Sequence, residues 1–316
     1  SEAGVITVYR DSAAPEITEV SLIPADTIKK YDFGNYCNAN ITVKVTAKDV
    51  NEKDGKSDYP AVGVKEVRVY SDDDATIEVT VPLEEAGIFA SLKEVHIKAV
   101  DALGNESKAY KLTEIKNHNG IVSDVLMLEK DAPVVKVTPQ ADGKYENAKD
   151  GKTEYWYKEI PTIAYEITEQ KDQTNGSGLA ARTVTVNGDK LTSKAKNFME
   201  SIAGSDQIVQ EDSLTLSAND LQKVQEGENT VVTTYTDIAG NKTIDTKTIC
   251  LDTHQPDVTR FNIEKKDASK ILNIFTFGNY GNGVIKVTVT ADDLHSDDGS
   301  EVPSAGLNEI TLYVGE

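Results

Sequence analysis

The chain has little of what catalysis and metal chemistry usually draw on. Its 316 residues include two cysteines, four histidines and one tryptophan. Cys37 and Cys250 stand far apart, and two lone thiols cannot complete a four-ligand zinc site. His96, His118, His254 and His295 are scattered without metal-ligand spacing. No Gly-x-Ser-x-Gly, His-Glu-x-x-His or phosphate-cradling glycine loop occurs, so the expectation is a chain that is not an enzyme. Basic residues are also few, with 33 against 53 acidic ones and a net charge of −20. That balance excludes a reader of phosphate backbones and disfavours anionic membrane surfaces. No apolar run reaches transmembrane length, so membrane insertion is not expected. No secretory signal opens the chain, which says nothing about export if the sequence is an internal piece.

What the chain does have is a repeat of itself. Phe33-Gly-Asn-Tyr36 leads into Ile41-Thr-Val-Lys-Val-Thr-Ala-Lys-Asp49, and Phe277-Gly-Asn-Tyr280 leads into Ile285-Lys-Val-Thr-Val-Thr-Ala-Asp-Asp293. Residues 33–49 and 277–293 agree at 11 of 17 positions. The agreement runs on through Asp54-Gly55 and Asp298-Gly299, Gly63 and Gly306, and Tyr70 and Tyr313. A repeat this long is a repeated structural unit. The counterpart of Cys37 is Gly281, so no disulfide is expected.

A second signal marks the joints. Tyr9-Arg-Asp11 precedes Pro15, Leu128-Glu-Lys-Asp131 precedes Pro133, and Leu251-Asp252 precedes Pro256. An apolar strand ends in an acid and a proline opens the next, as suits the first residue of an edge strand. The division that follows is 1–13 as the last strand of a preceding domain, 14–130 and 131–254 as two full units, and 255–316 as an incomplete copy of the first type. Further copies are expected in a longer parent chain. Joints this short are not flexible linkers.

Period-two alternation fills the units. It is plain in Ile41–Ala47, Val64–Tyr70, Ala75–Val81 and Val95–Val100, and again in Thr162–Ile167, Arg182–Val186 and Asn229–Tyr235. Each puts apolar side chains on one face, the mark of a half-buried antiparallel strand. The fold class is therefore all-β, as tandem immunoglobulin-like antiparallel β-sandwiches. One short helical insertion is predicted in the middle unit, from Thr192 to Ala203, with Ala195, Phe198, Met199 and Ile202 on one stripe. Docking on the sandwich edge and binding a partner are both open to that stripe.

Two hairpins carry the most specific signal. Asp101-Ala-Leu-Gly104-Asn105 and Asp237-Ile-Ala-Gly240-Asn241 hold the same place in their units. Aspartate can accept hydrogen bonds from the backbone just ahead, and glycine supplies the positive φ that closes the loop. Together with the acid-to-proline joints, these motifs resemble the bacterial immunoglobulin-like repeat domains of large secreted and cell-wall-attached proteins. The resemblance covers nearly the whole chain. It implies extracellular display, as stalks, adhesins or spacers beside carbohydrate-active modules, with some relatives binding host glycoproteins including immunoglobulins.

Two groups are candidate sites. Asp49, Asn51 and Asp54 lie in one acidic loop, and Asp293, Asp297 and Asp298 in its counterpart. Dense carboxylate loops can offer calcium its six to eight oxygens. Lys53 and Pro60 stand where an EF-type loop needs ligands, so these loops are not that motif; solvated acidic loops are the alternative. Asp72-Asp-Asp74 is a further acidic cluster. Tyr155-Trp156-Tyr157, with Phe198, would suit a sugar ring or a protein partner if exposed, and a packed sandwich edge if not. No cofactor other than calcium is suggested. The functional expectation is adhesion to a host protein or glycan. The alternatives are a passive spacer or an accessory segment of a secreted carbohydrate-active enzyme.

Overall fold

A computed structural model describes residues 4–53, 56–70, 80–81, 89–92, 95–140, 145–149, 152–169, 176–202, 208–265, 285–297 and 300–313. The chain is nearly all β and forms several sheets. Among residues 16–129, one sheet joins Glu16–Ile23, Ile41–Lys48 and Thr80–Val81; a second joins Tyr110–Lys111, His96–Asp101 and Val64–Tyr70. A third sheet runs Lys29–Tyr31, Gly34–Cys37, Leu126–Glu129 and Phe89–Leu92, with Leu126–Glu129 parallel to Gly34–Cys37. Their inward residues, among them Val20, Leu22, Ile41, Ile97, Leu126 and Leu128, form one apolar core.

Between residues 134 and 251 the plan is clearer. Val134–Gln140, Thr162–Thr168 and Glu211–Leu216 make one sheet. It faces a larger sheet whose central strands are Lys242–Leu251, Gly227–Asp237 and Leu179–Val186. Ile163, Tyr165, Ile167 and Leu214 of the first meet Val184, Val231, Tyr235 and Ile249 of the second in a separate core. Two antiparallel sheets sharing one core are a β-sandwich.

The same register follows Pro15, Pro133 and Pro256. Glu16 faces Lys48, Val134 faces Thr168, and Asp257 faces Asp292, each one residue after the joint proline. The first and last pairs carry a bulge after Ile17 and after Val258, and in both a threonine hydroxyl (Thr18, Thr259) donates to the facing strand. The middle pair has no such shift. Phe261 and Ile263 of the last pair are 56% and 52% exposed.

Two expectations change. Among the described residues 192–202 no single helix runs through, and Ala203 lies outside them. Residues Thr192–Lys194 form a 3-10 turn, Lys196–Asn197 pair with Ala181–Arg182, and only Met199–Ile202 turn as α-helix. The Arg182 guanidinium takes the Lys194 carbonyl at 2.8 Å, and the strand pairing takes the groups beside it. Backbone groups held by neighbours are lost to helix formation, and tertiary context overrides propensity. The predicted loop after Asp49 is also partly strand, with Asn51–Lys53 pairing Lys56–Tyr59. Residues 72–74, 75–79 and 277–280 lie outside the described residues.

The hairpin glycines have the backbone expected of them, φ 90° at Gly104 and 102° at Gly240. Asp101 Oδ1 accepts the Leu103 and Asn105 N–H groups, and Asp237 Oδ1 accepts those of Gly240 and Asn241. A side chain added at Gly104 meets open space, whereas at Gly240 it comes 3.5 Å from Lys29 Cε. That is ordinary contact with a flexible side chain, so Gly104→Val and Gly240→Val should each lower stability by about 1–3 kcal/mol through backbone strain. Urea midpoints equal to the parent for both would refute the strain.

Candidate functional site

The structure gathers acids at the joints. The acid four residues before each joint proline is Asp11, Glu129 or Asp252, and the acid that follows the second strand is Asp49, Glu169 or Asp293. A glycine with positive φ meets them each time: Gly63 at 89°, Gly178 at 100° and Gly306 at 81°. The glycine N–H donates to the strand-end acid, at 2.7 Å for Gly63 to Asp49 and 2.9 Å for Gly306 to Asp293; Gly178 does the same to Glu169. The residue before it donates to the joint acid. Val62 reaches Asp11 at 3.0 Å, Ser177 reaches Glu129 at 2.8 Å, and Ala305 reaches Asp252 at 2.8 Å. Two successive N–H groups turned to one side make an anion-binding nest, and the left-handed residue is what turns them.

The hairpin acid completes the group. Asp11, Asp49 and Asp101 bring one oxygen each within 4.8 Å of one another, and so do Glu129, Glu169 and Asp237. In the second set exposure is only 1%, 5% and 1%. Burial, the largest influence, pushes Glu129 up to about 7 and Glu169 to about 8, the latter aided by the Glu129 charge. Burial likewise lifts Asp237 to about 6 against the hydrogen bonds from Asn241 and Gly240. Burial raises Asp49 as well. It also works against ionised Asp101, but hydrogen bonds from Asn105, Leu103 and Gly104 outweigh it and hold that carboxyl below its usual range. At the third joint His254 Nδ1 lies 3.6 Å from Glu226 Oε2, and these two group with Asp252.

An apolar contact seals the middle joint. Tyr31, Phe33, Tyr36 and Met127 pack against Ala180, Met199, Ile202, Ile208 and Ile238. Tyr31 and Phe33 stack at 5.2 Å, with Tyr36 edge-on to both. Asn241 Nδ2 donates across the joint to the carbonyls of Glu129 and Asp131, at 3.1 and 3.2 Å.

The sequence-predicted sites fare differently. Asp49 does sit in an acid cluster, with Asp11 and Asp101. Asp54 and Asp298 lie outside the described residues; Asp297 ends a short strand paired with Ser300–Val302. Asp293 lies at the third joint. The aromatic group is not an open platform. Trp156 and Tyr157 are each 6% exposed and Phe198 is 0%. Tyr157 belongs to the second apolar core, and the Trp156 indole N–H, on the next residue of the strand, donates to Glu154 at 3.2 Å. Only Tyr155 keeps partial exposure, beside a cleft of about 260 Å³ shared with Tyr157, Pro161 and Lys247. Sequence reasoning missed Asp11, Glu129, Glu169 and Asp252 as site residues. The constant four-residue step from acid to proline was the available signal.

No family model and no characterised protein sequence matches the chain. Among solved structures it is similar to the fibronectin(III)-like modules of CbhA from Clostridium thermocellum, at 13% identity and TM-score 0.27, covering 75% of this chain and 93% of that one. It is also similar to a 1.5-MDa bacterial ice-binding adhesin, studied for its retention on the host cell surface, at 12% identity and TM-score 0.24 over 80% and 70%. A Ca2+-stabilized adhesin with which an Antarctic bacterium binds ice gives 16% identity and TM-score 0.22 over 80% and 52%. At such TM-scores the chains do not superpose as wholes, and the likeness carries no argument about function.

Proposed function

We propose that this chain is a non-enzymatic, extracellular segment of a bacterial surface protein. Its units act as a stiff array that holds a binding surface carried elsewhere in the parent protein. The observation behind this reading is the sealed middle joint, where Phe33 and Tyr36 of one unit bury against Ile202 and Ile238 of the next. An array in which each unit contacts its neighbours specifies direction as well as reach. Among the described residues no helix is long and apolar enough to cross a membrane. Labels on the exposed positions Lys44 and Lys242 should give a single narrow distance distribution by electron–electron resonance. A broad distribution would refute the stiff array.

Direct adhesion to a host glycoprotein, immunoglobulin or glycan is the second reading, and the Tyr155 cleft favours it. Tyrosine beside a small hollow suits a sugar ring. Binding of the whole chain to a glycan array or to host mucus proteins, lost in Tyr155→Ala without a change in melting temperature, would establish adhesion over the spacer.

A further inference from the structure

We propose that Glu129, Glu169 and Asp237 form a binding site for one divalent cation of the calcium type, which locks the middle joint. Three buried carboxylates converge there with oxygens within 4.8 Å of one another. Among the described residues no Lys or Arg pairs with any of the three. Bringing three like charges into low dielectric without a counter-charge is strongly unfavourable.

A second observation points to a ligand. Glu169 is 5% exposed and its Oε1 is buried without a hydrogen-bond partner. The same orphan recurs at the first joint, where Asp49 Oδ1, from the equivalent residue, is also buried and unpartnered. Buried polar atoms are almost always satisfied, so an orphan repeated at the same place in two units marks a missing partner. A bare carboxylate oxygen only accepts, so that partner is a hydrogen-bond donor or a cation, and the two further carboxylates beside it favour the cation. Gly176 keeps the space open: a Cβ there would stand 2.6 Å from Glu169 Oε2 and 2.8 Å from Glu129 Oε1.

The donor set selects the ion class. All three ligands are hard carboxylates, which suit calcium rather than zinc or copper. Calcium binds oxygen at about 2.3–2.6 Å, so oxygens twice that distance apart can share one ion. Glu129 ends the last strand of the first core, while Glu169 and Asp237 belong to the second sandwich. Affinity for the ion therefore becomes affinity between units. Asp11 with Asp49 and Asp101 is the equivalent site at the first joint.

The test uses the whole chain after exhaustive chelation. Terbium is added with excitation of tyrosine, since Tyr36 and Tyr31 feel the charges of Glu129 and Asp237. Sensitised emission that calcium displaces is the expected result; its absence in the parent would overturn the proposal, and that readout needs no variant. Calcium titration by calorimetry should then lose one equivalent per chain in Glu169→Gln. Glu166→Gln, an exposed acid on the same strand, should keep the parent stoichiometry. Unchanged stoichiometry in a folded Glu169→Gln would show that protons, not a cation, neutralise the cluster, and would also overturn it.

Discussion

Gly178→Ala should unfold the middle sandwich at markedly lower urea than the parent. Gly178 has φ 100°, where an L side chain is strained by about 1–3 kcal/mol. The added Cβ would also lie 1.9 Å from Ile208 Cγ2 and 3.3 Å from the Val209 carbonyl. Overpacking of that kind costs a further 1–3 kcal/mol or so, because Ile208 belongs to the apolar seal and has little room to move. Together the loss is roughly 2–6 kcal/mol. Gly188→Ala is the matched control. It has φ 84° and open space around the new Cβ, so it carries the strain alone. Equal urea midpoints for the two variants would mean that Ile208 does not pack on Gly178.

Arg182→Met should be comparably severe. The Arg182 guanidinium pairs with Asp212, and the two side chains are 9% and 6% exposed. Its Nε also holds the Lys194 carbonyl, so one side chain ties the 192–197 connection to the sheet. Removing it leaves the buried Asp212 with Lys196 at 3.1 Å, a partner that is itself 46% exposed. Breaking a buried pair from one side costs about 3–5 kcal/mol, whereas replacing both partners by apolar groups is often neutral. The double variant Arg182→Met/Asp212→Leu should therefore recover most of the loss. If the double variant is no more stable than the single one, the pair is not what holds this edge.

The strands were legible because period-two alternation is written locally. Thr162–Ile167 and Asn229–Tyr235 alternate in the sequence and alternate in burial. The hairpins were legible for the same reason: Asp237, Gly240 and Asn241 satisfy one another within five residues. The aromatic and helical stripes were legible as apolar but not as to where they point. Phe198 enters the second core while Met199 and Ile202, its near neighbours, face Tyr36 of the other unit. That split depends on how two units meet, which no local periodicity encodes.

The acid clusters show the boundary most clearly. The sequence by itself determined a nearly all-β chain in which an acid stands four residues before Pro15, Pro133 and Pro256, because those features rest on backbone preferences within a few residues. It also placed Asp49 and Asp293 in equivalent positions. Only the tertiary structure decided which acids share a point in space. Asp49 meets Asp11 and Asp101, residues 38 and 52 positions away in the chain. At the middle joint the acid is Glu129 and not Asp131, and its companion is Glu169. Successive side chains on an extended strand point to opposite faces, so neighbours in sequence diverge. Carboxylates converge only where separate strand ends and one left-handed glycine are brought to the same edge of the sandwich.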